Sequence, residues 1–95
     1  MNTSVTKIDL HGCYVCAEGA KAIGEALKVN TSLMKMKLSA NDIGDEGAKA
    51  IGEALIANAS LSEIELRWSN NIGVKGRKVL REAETVKGEG YRITY

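Results

Sequence analysis

Two cysteines and one histidine near the start of the chain are the residues whose types and spacing best suit chemistry. Cys13 and Cys16 form a Cys-x-x-Cys motif, and His11 is the only histidine. The motif suits a redox pair, because Cys16 lies just before a predicted helix, and a helix N-terminus lowers the pKa of a thiol. It also suits half of a zinc site, but structural zinc normally takes four ligands and the chain has no second cysteine pair. We therefore predict no metal and no cofactor, and a redox role stays open.

His11 would act as a general base only beside an activating partner and a nucleophile. Asp9 lies two residues away on the same face of a predicted strand. No serine, cysteine or lysine is evidently placed to complete such a site. We therefore predict that the chain has no catalytic residues and is not an enzyme.

Composition narrows the remaining function classes. The 95 residues allow at most one domain, and 13 Lys and Arg against 12 Asp and Glu give a net charge of +1. This balance provides no field to hold nucleic acid or an anionic membrane. No apolar run approaches the roughly 20 residues of a membrane span, and the N-terminus lacks the apolar centre of a signal peptide. With only two cysteines, we expect a reducing compartment and predict a cytoplasmic protein.

An internal repeat organises the whole chain. The sequence Glu-Gly-Ala-Lys-Ala-Ile-Gly-Glu-Ala-Leu occurs at Glu18–Leu27 and again at Glu46–Leu55, 28 residues later. Such self-similarity is the signature of a repeat architecture. We divide the single domain, residues 1–95, into units 2–29, 30–57 and 58–86 and a partial unit 87–95, with one residue inserted around Arg67–Asn70.

Each unit is predicted to contain one strand followed by one helix. Apolar residues two apart indicate a strand with one buried face, and apolar residues at i, i+3 and i+7 indicate a helix. The strand positions are Val5, Ile8 and Leu10, then Leu33, Met36 and Leu38, then Leu61, Ile64 and Leu66, and finally Gly90, Ile93 and Tyr95. The helix positions are Ala20, Ile23 and Leu27, then Ala48, Ile51 and Leu55.

Several residues are expected to define the ends and contacts of the helices. Asp45 is a plausible N-cap of the second helix. Asn30 and Asn58 suit the left-handed residue that ends a helix. Gly24 and Gly52 recur in mid-helix, where glycine costs about 1 kcal/mol against alanine. Their recurrence predicts close packing against a strand or a neighbouring helix.

Stacking these units determines the predicted architecture. Neighbouring strands lie about 4.8 Å apart, whereas neighbouring helices lie roughly 8–10 Å apart. The stack is therefore expected to curve, with a parallel sheet on the concave side and helices on the convex side.

The second unit carries a family resemblance. Its Leu-x-x-Met-x-Leu-x-x-Asn-x-Ile-Gly, followed by Asp-Glu-Gly-Ala-Lys-Ala-Ile-Gly-Glu-Ala-Leu, resembles a leucine-rich repeat of the ribonuclease-inhibitor type. Repeats of this type occur in NOD-like receptors, Ran GTPase-activating proteins and tropomodulins. The resemblance implies an α/β solenoid that binds other proteins, usually through its concave face, but it names no partner.

The resemblance also gives the two cysteines a structural interpretation. Cys13 falls where Asn41 falls in the next unit, a position at which the family uses Asn or Cys to bond the turn backbone. Cys16 replaces Gly44, a departure that questions the backbone there, because glycine tolerates positive φ and cysteine does not readily do so.

The predicted concave face supplies the candidate binding surface. Its strand positions form two rows of charges, Asp9–Lys37–Glu65 and Lys7–Lys35–Glu63–Arg92, and His11 is expected to be exposed in register with Ser39. Such rows suit a polar binding surface or a self-neutralised face without a ligand. Trp68, the only tryptophan, lies at the insertion and suits an interface anchor or a cover for the core. The candidate partner-binding residues are Lys7, Asp9, His11, Lys35, Lys37, Glu63, Glu65, Arg67, Trp68 and Arg92.

These observations lead to one predicted function and one alternative. The first is a non-enzymatic module that binds a protein partner through the concave strand face and adjacent turns. The alternative is a self-associating repeat fragment without a separate ligand. It rests on the N-terminal end, where the first strand and helix lack the charged cap seen at the C-terminal end, so that a homo-oligomer through this end is expected.

Overall fold

A computed structural model of the protein describes residues 6–67, 71–88 and 91–95, and each unit within them contributes one strand and one helix. The partial unit adds a final strand, as predicted. The elements are β1 (Lys7–Asp9), α1 (Cys16–Val29), β2 (Lys35–Lys37), α2 (Gly44–Ala57), β3 (Glu63–Glu65), α3 (Val74–Lys87) and β4 (Arg92–Thr94). Within the described residues, no helix is long and apolar enough to cross a bilayer.

The four strands form one parallel sheet in the order β1-β2-β3-β4. Lys7 pairs with Lys35, Lys35 with Glu63, and Glu63 with Arg92, so the strands follow the 28-residue period and then a 29-residue step. The positive φ angles of Asp42 and Asn71 show the same 29-residue step. The extra residue of the third unit therefore lies between Arg67 and Asn71, where the sequence predicted it.

The core lies between the sheet and the helices. The predicted strand positions of the second and third units are buried, as are Ala48, Ile51 and Leu55 on α2. The first unit is less covered, because Ile8, Leu10 and Ile23 are only half-buried. Two further predicted strand positions, Val5 and Gly90, lie outside the described residues. The core is therefore deepest in the second and third units and reaches the surface beside β1.

The helices pack closely because glycine recurs at their contacts. A Cβ atom on Gly24 would lie 3.0 Å from the Ala50 carbonyl oxygen, and one on Gly52 would lie 2.6 Å from Cγ1 of Val79. Each glycine therefore faces the helix of the next unit. This confirms the close packing predicted from their recurrence.

Two expectations about helix ends were wrong, and the first concerns the asparagines. Asn30 and Asn58 have φ near −79° and ψ near 135°, which is extended rather than left-handed backbone. The reason is that Asn58 acts through its side chain. Its Nδ2 donates to the carbonyl oxygens of Leu27, at 2.6 Å, and Asn30, at 3.0 Å, and its Oδ1 accepts from Leu61 N at 2.6 Å.

The second concerns Asp45, which does not cap its own helix, because α2 already begins at Gly44. Its carboxylate reaches the next unit instead. Oδ1 accepts hydrogen bonds from the backbone N–H groups of Gly73, which precedes α3, and of Gly76, in the first turn of α3, the latter at 3.2 Å. The Asp45 side chain thus caps α3 from the neighbouring unit, while Gly73 holds the N-cap position itself.

Tyrosines close the C-terminal end of the stack. The Tyr95 hydroxyl donates to Glu84 Oε1 at 2.8 Å, and the Arg77 guanidinium lies 5.9 Å from the centre of the Tyr95 ring. The Lys87 ammonium lies 5.9 Å from the centre of the Tyr91 ring and donates to the Asn58 carbonyl. The end that carries β4 is therefore covered by aromatic rings and charged side chains.

Candidate functional site

The sheet surface that points away from the helices carries the candidate site, and we call it the open sheet face. It is defined by alternate residues of the strands, because successive side chains of a strand point to opposite sides. The inward positions Met36 and Ile64 are buried, whereas the positions on either side of them are exposed or half-buried. The open sheet face consists of Lys7, Asp9, Lys35, Lys37, Glu63, Glu65, Arg92 and Thr94.

The strand register brings the predicted charge rows together. One row runs Lys7, Lys35, Glu63 and Arg92, and the other runs Asp9, Lys37, Glu65 and Thr94. Lys35 Nζ lies 3.8 Å from Glu63 Oε1. Asp9, Lys37 and Glu65, all within the described part of the chain, stand in register but form no ion pair with one another. The middle of the face therefore presents charges that neighbouring strands do not neutralise by direct contact.

Ser39, at one edge of the open sheet face, was expected to be exposed. Ser39 is buried rather than exposed, because its Oγ accepts a hydrogen bond from Arg67 N at 3.1 Å. Arg67 itself is exposed at the end of β3. Trp68, the proposed anchor beside it, lies outside the described residues.

His11 and the cysteines lie in the turn between β1 and α1. His11 is exposed, and its backbone N–H donates to Asp9 Oδ1 at 3.0 Å, so the Asp9 carboxylate bonds to the backbone just after β1. Cys13 is exposed and its thiol donates to the His11 carbonyl at 3.7 Å, while Cys16 is half-buried; both thiols are free. Among the described residues, no group of three or more His, Cys, Asp or Glu side chains is arranged to hold a metal ion.

Cys16 adopts a backbone conformation that favours glycine, as its alignment with Gly44 indicated. Its φ is +55°, against +66° for Gly44, so a side chain occupies a left-handed position that favours glycine. The structure also shows how the residue at the position of Cys13 bonds the turn backbone in the second unit. Asn41, the counterpart of Cys13, donates from Nδ2 to the carbonyls of Leu10 and Leu38, and its Oδ1 accepts from Val15 N.

Tyr14 is a surface residue that the sequence reasoning missed. It is 79% exposed in the same turn as His11 and Cys13, and its φ is +56°. Its counterpart in the second unit is Asp42, which accepts a hydrogen bond from Asn71 of the third unit. The signal was present in the sequence, because the counterparts of Tyr14 are Asp42 and Asn71, which are typical turn residues, whereas tyrosine is not.

Comparison with known proteins adds one finding to this geometry. Residues 29–52 match the family described as Leucine Rich repeat. No curated protein matches the chain. The matched segment runs from the end of α1 through β2 into α2, and the same strand, turn and helix recur in the units on either side. Residues 29–52 are therefore similar to a leucine-rich repeat, and the described residues form an α/β fold, with a parallel sheet on one side and helices on the other, that fits a short solenoid of such units.

Proposed function

We propose that the protein is a non-enzymatic, cytoplasmic interaction module that binds a protein partner through the open sheet face and the turns beside it. The observation that carries this proposal is the row of Asp9, Lys37 and Glu65, described residues that the sheet holds in register without ion pairs between them. Because the strands that carry these charges are already formed, binding orders side chains and not the backbone.

The charges also suggest the chemistry of the partner. Lys35 and Lys37 lie on β2, and Glu63 and Glu65 lie beside them on β3. A complementary partner presents acidic groups to β2 and basic groups to β3, since matched potentials favour association and oppose wrong partners. We include Tyr14 in the proposed surface, because its side chain is exposed in the turn after β1 and aromatic residues are enriched in interfaces.

The test compares two double variants with the same net charge. Lys37→Ala with Glu65→Ala removes the central charges of the face, and Lys49→Ala with Glu53→Ala removes an equivalent pair from the exposed side of α2. Both proteins should retain the circular-dichroism spectrum of the wild type. Affinity capture from source cells, quantified by mass spectrometry, should then lose a partner with the first variant and retain it with the second. Equal capture by the two variants would contradict binding through this face.

A second candidate function is self-association through the end of the sheet formed by β1. It is favoured by the half-buried Ile8, Leu10 and Ile23, whose counterparts Met36, Leu38 and Ile51 are buried by the preceding unit. Apolar side chains of this kind gain about 25 cal/mol for each Å² removed from water. Sedimentation of the purified chain over a concentration series tests this function separately from partner capture.

A further inference from the structure

The N-terminal flank of the solenoid combines an apolar cavity with the outer edge of a strand. The cavity has a volume of about 160 Å³ and is lined mainly by Ile8, Leu10, Ile23, Leu27 and Met36. It lies beside β1, the first strand of the sheet, which pairs with β2 alone among the described strands. Sheet edges of this kind accept a further strand.

The hydrogen bonds of β1 show which backbone groups remain directed outward. Leu10 N donates to the Lys37 carbonyl at 2.8 Å, and Lys35 N donates to the Thr6 carbonyl at 3.0 Å. Thr6 and Leu10, the residues that flank β1, therefore direct these backbone groups toward β2, and Ile8 between them has the same direction. Since the direction alternates along a strand, the N–H and C=O groups of Lys7 and Asp9 point away from the sheet.

We propose that a second copy of this chain covers the flank, with the two β1 strands pairing antiparallel about Ile8. Lys7 of each copy then lies opposite Asp9 of the other. This inference rests on the second proposed function, self-association, and specifies its interface. In this arrangement Lys7 and Asp9 exchange backbone hydrogen bonds across the two-fold axis, as the two residues of a hydrogen-bonded antiparallel pair do.

Charge and backbone direction together select this register. The outward groups belong to odd-numbered residues, so an antiparallel pair must oppose odd residues to odd residues. Centring the pair on Lys7 would oppose two lysines, and centring it on Asp9 would oppose two aspartates, and like charges directly opposite destabilise a sheet. Centring it on Ile8 gives two Lys7–Asp9 pairs. It also places an opposite charge near Lys7, whose neighbour within the sheet is Lys35.

The apolar side of the flank fits the same arrangement. Ile8 of each copy faces Ile8 of the other at a non-hydrogen-bonded position, where side chains lie close together. Each Ile8 is then positioned to cover the cavity of its partner. The adjacent face of α1 carries Gly19, Ala22 and Ala26, the counterparts of Gly47, Ala50 and Ala54, and Gly47 lies against Ala20 of α1.

A head-to-tail stack fits the charges less well. Continuing the parallel sheet from β4 into β1 of another copy would place Arg92 beside Lys7, whereas the two-fold pair opposes unlike charges twice. The two-fold arrangement is also closed, because both N-terminal flanks are used and both ends that carry β4 remain outside. We therefore expect a dimer and no larger species.

Charge reversal tests the proposed register. Lys7→Glu places two carboxylates opposite each other at both cross-strand pairs of the dimer, and Asp9→Lys places two ammonium groups there. Each variant should therefore dimerise at least about tenfold more weakly than the wild type.

An equimolar mixture of the two variants restores opposite charges at both pairs. The introduced glutamate of one copy faces the introduced lysine of the other, and the unchanged Asp9 of the first faces the unchanged Lys7 of the second. The mixture should therefore recover the dimer that neither variant forms alone. Sedimentation velocity from about 10 µM to about 500 µM measures the wild type, the two variants and the mixture.

Lys49→Glu on α2 is the matched control, because it makes the same change of charge away from β1 and should leave dimerisation unchanged. Circular dichroism verifies that each variant is folded. A wild type that stays monomeric at the highest concentration would overturn both this inference and the second proposed function. Self-association that persists in both variants, or that continues into larger species, would overturn the β1 interface while retaining self-association. The interface would be supported if the wild type is a dimer, each variant alone is a monomer and the mixture of the two variants is a dimer.

Discussion

Cys16 and Gly44 hold the same left-handed backbone conformation at equivalent positions of adjacent units, with φ angles of 55° and 66°. A Cβ atom at Gly44 would meet no atom of the described residues within 4 Å. The preference for glycine at this point therefore arises from the backbone alone. A residue other than glycine costs about 1–2 kcal/mol in this conformation.

The first prediction is that Cys16→Gly stabilises the protein by about 1 kcal/mol, because the strain relieved exceeds the added entropy of the unfolded chain. The free energy of unfolding, measured with urea, checks this value. The matched change Gly44→Ala should destabilise the protein by a similar amount. If Cys16→Gly leaves the unfolding midpoint unchanged, the left-handed conformation does not strain Cys16.

The second prediction concerns the cap that Asp45 supplies to α3. Asp45→Ala leaves the N–H groups of Gly73 and Gly76 without this acceptor, so it should cost about 1–2 kcal/mol of stability. Glu46→Ala is the control, since Glu46 is an exposed acidic residue in the first turn of α2 and its loss changes the charge equally. Hydrogen exchange should increase mainly in the first turn of α3. An increase confined to α2 would contradict capping across the unit boundary.

The third prediction concerns the contact between Gly52 and Val79. Gly52→Ala normally raises helix propensity, but its new methyl group would lie 2.6 Å from Cγ1 of Val79, so we expect a loss of about 1–2 kcal/mol. The double variant with Val79→Ala removes the obstructing methyl groups. Thermal unfolding should show that Gly52→Ala is less harmful in the Val79→Ala background than in the wild type. Equal effects in the two backgrounds would show that the contact is not responsible.

The fourth prediction is a loss of stability in alkali. Burial raises the pKa of Tyr91 to about 12, and its hydroxyl has no hydrogen-bond partner among the described residues. The unfolded chain releases this proton near pH 10, the ordinary pKa of tyrosine, whereas the folded chain retains it. The contribution is therefore present below pH 10 and is lost as the pH rises toward 12. Because the ring is only partly buried, we expect about 1 kcal/mol.

Thermal unfolding between about pH 8 and about pH 11.5 measures this effect, with Tyr91→Phe as the control. The pKa of Tyr95 is also raised, by burial and then by its hydrogen bond to Glu84, so it contributes in the same direction. Tyr91→Phe should therefore remove part of the pH dependence and retain the rest. An unchanged dependence would show that Tyr91 does not contribute.

The repeat period was sufficient to predict the sheet but not the partners of individual side chains. Alternation around Met36 and Ile64 predicted which residues share the open sheet face, because side-chain direction in a strand depends only on position. The hydrogen bonds of Asp45 and Ser39 could not be predicted in this way. Asp45 bonds to Gly76, 31 residues later, and Ser39 bonds to Arg67, 28 residues later, so both depend on how the units stack.

Asn58 has a further consequence for how the chain can change in length. Its side chain joins Leu27 of the first unit to Leu61 of the third, so the sequence boundaries of a unit do not coincide with the boundaries of its bonds. A single unit excised as a peptide loses these partners. A second copy of residues 30–57 inserted after Ala57 repeats each donor and acceptor in the same order. The solenoid is therefore expected to tolerate elongation by whole periods far better than truncation to one.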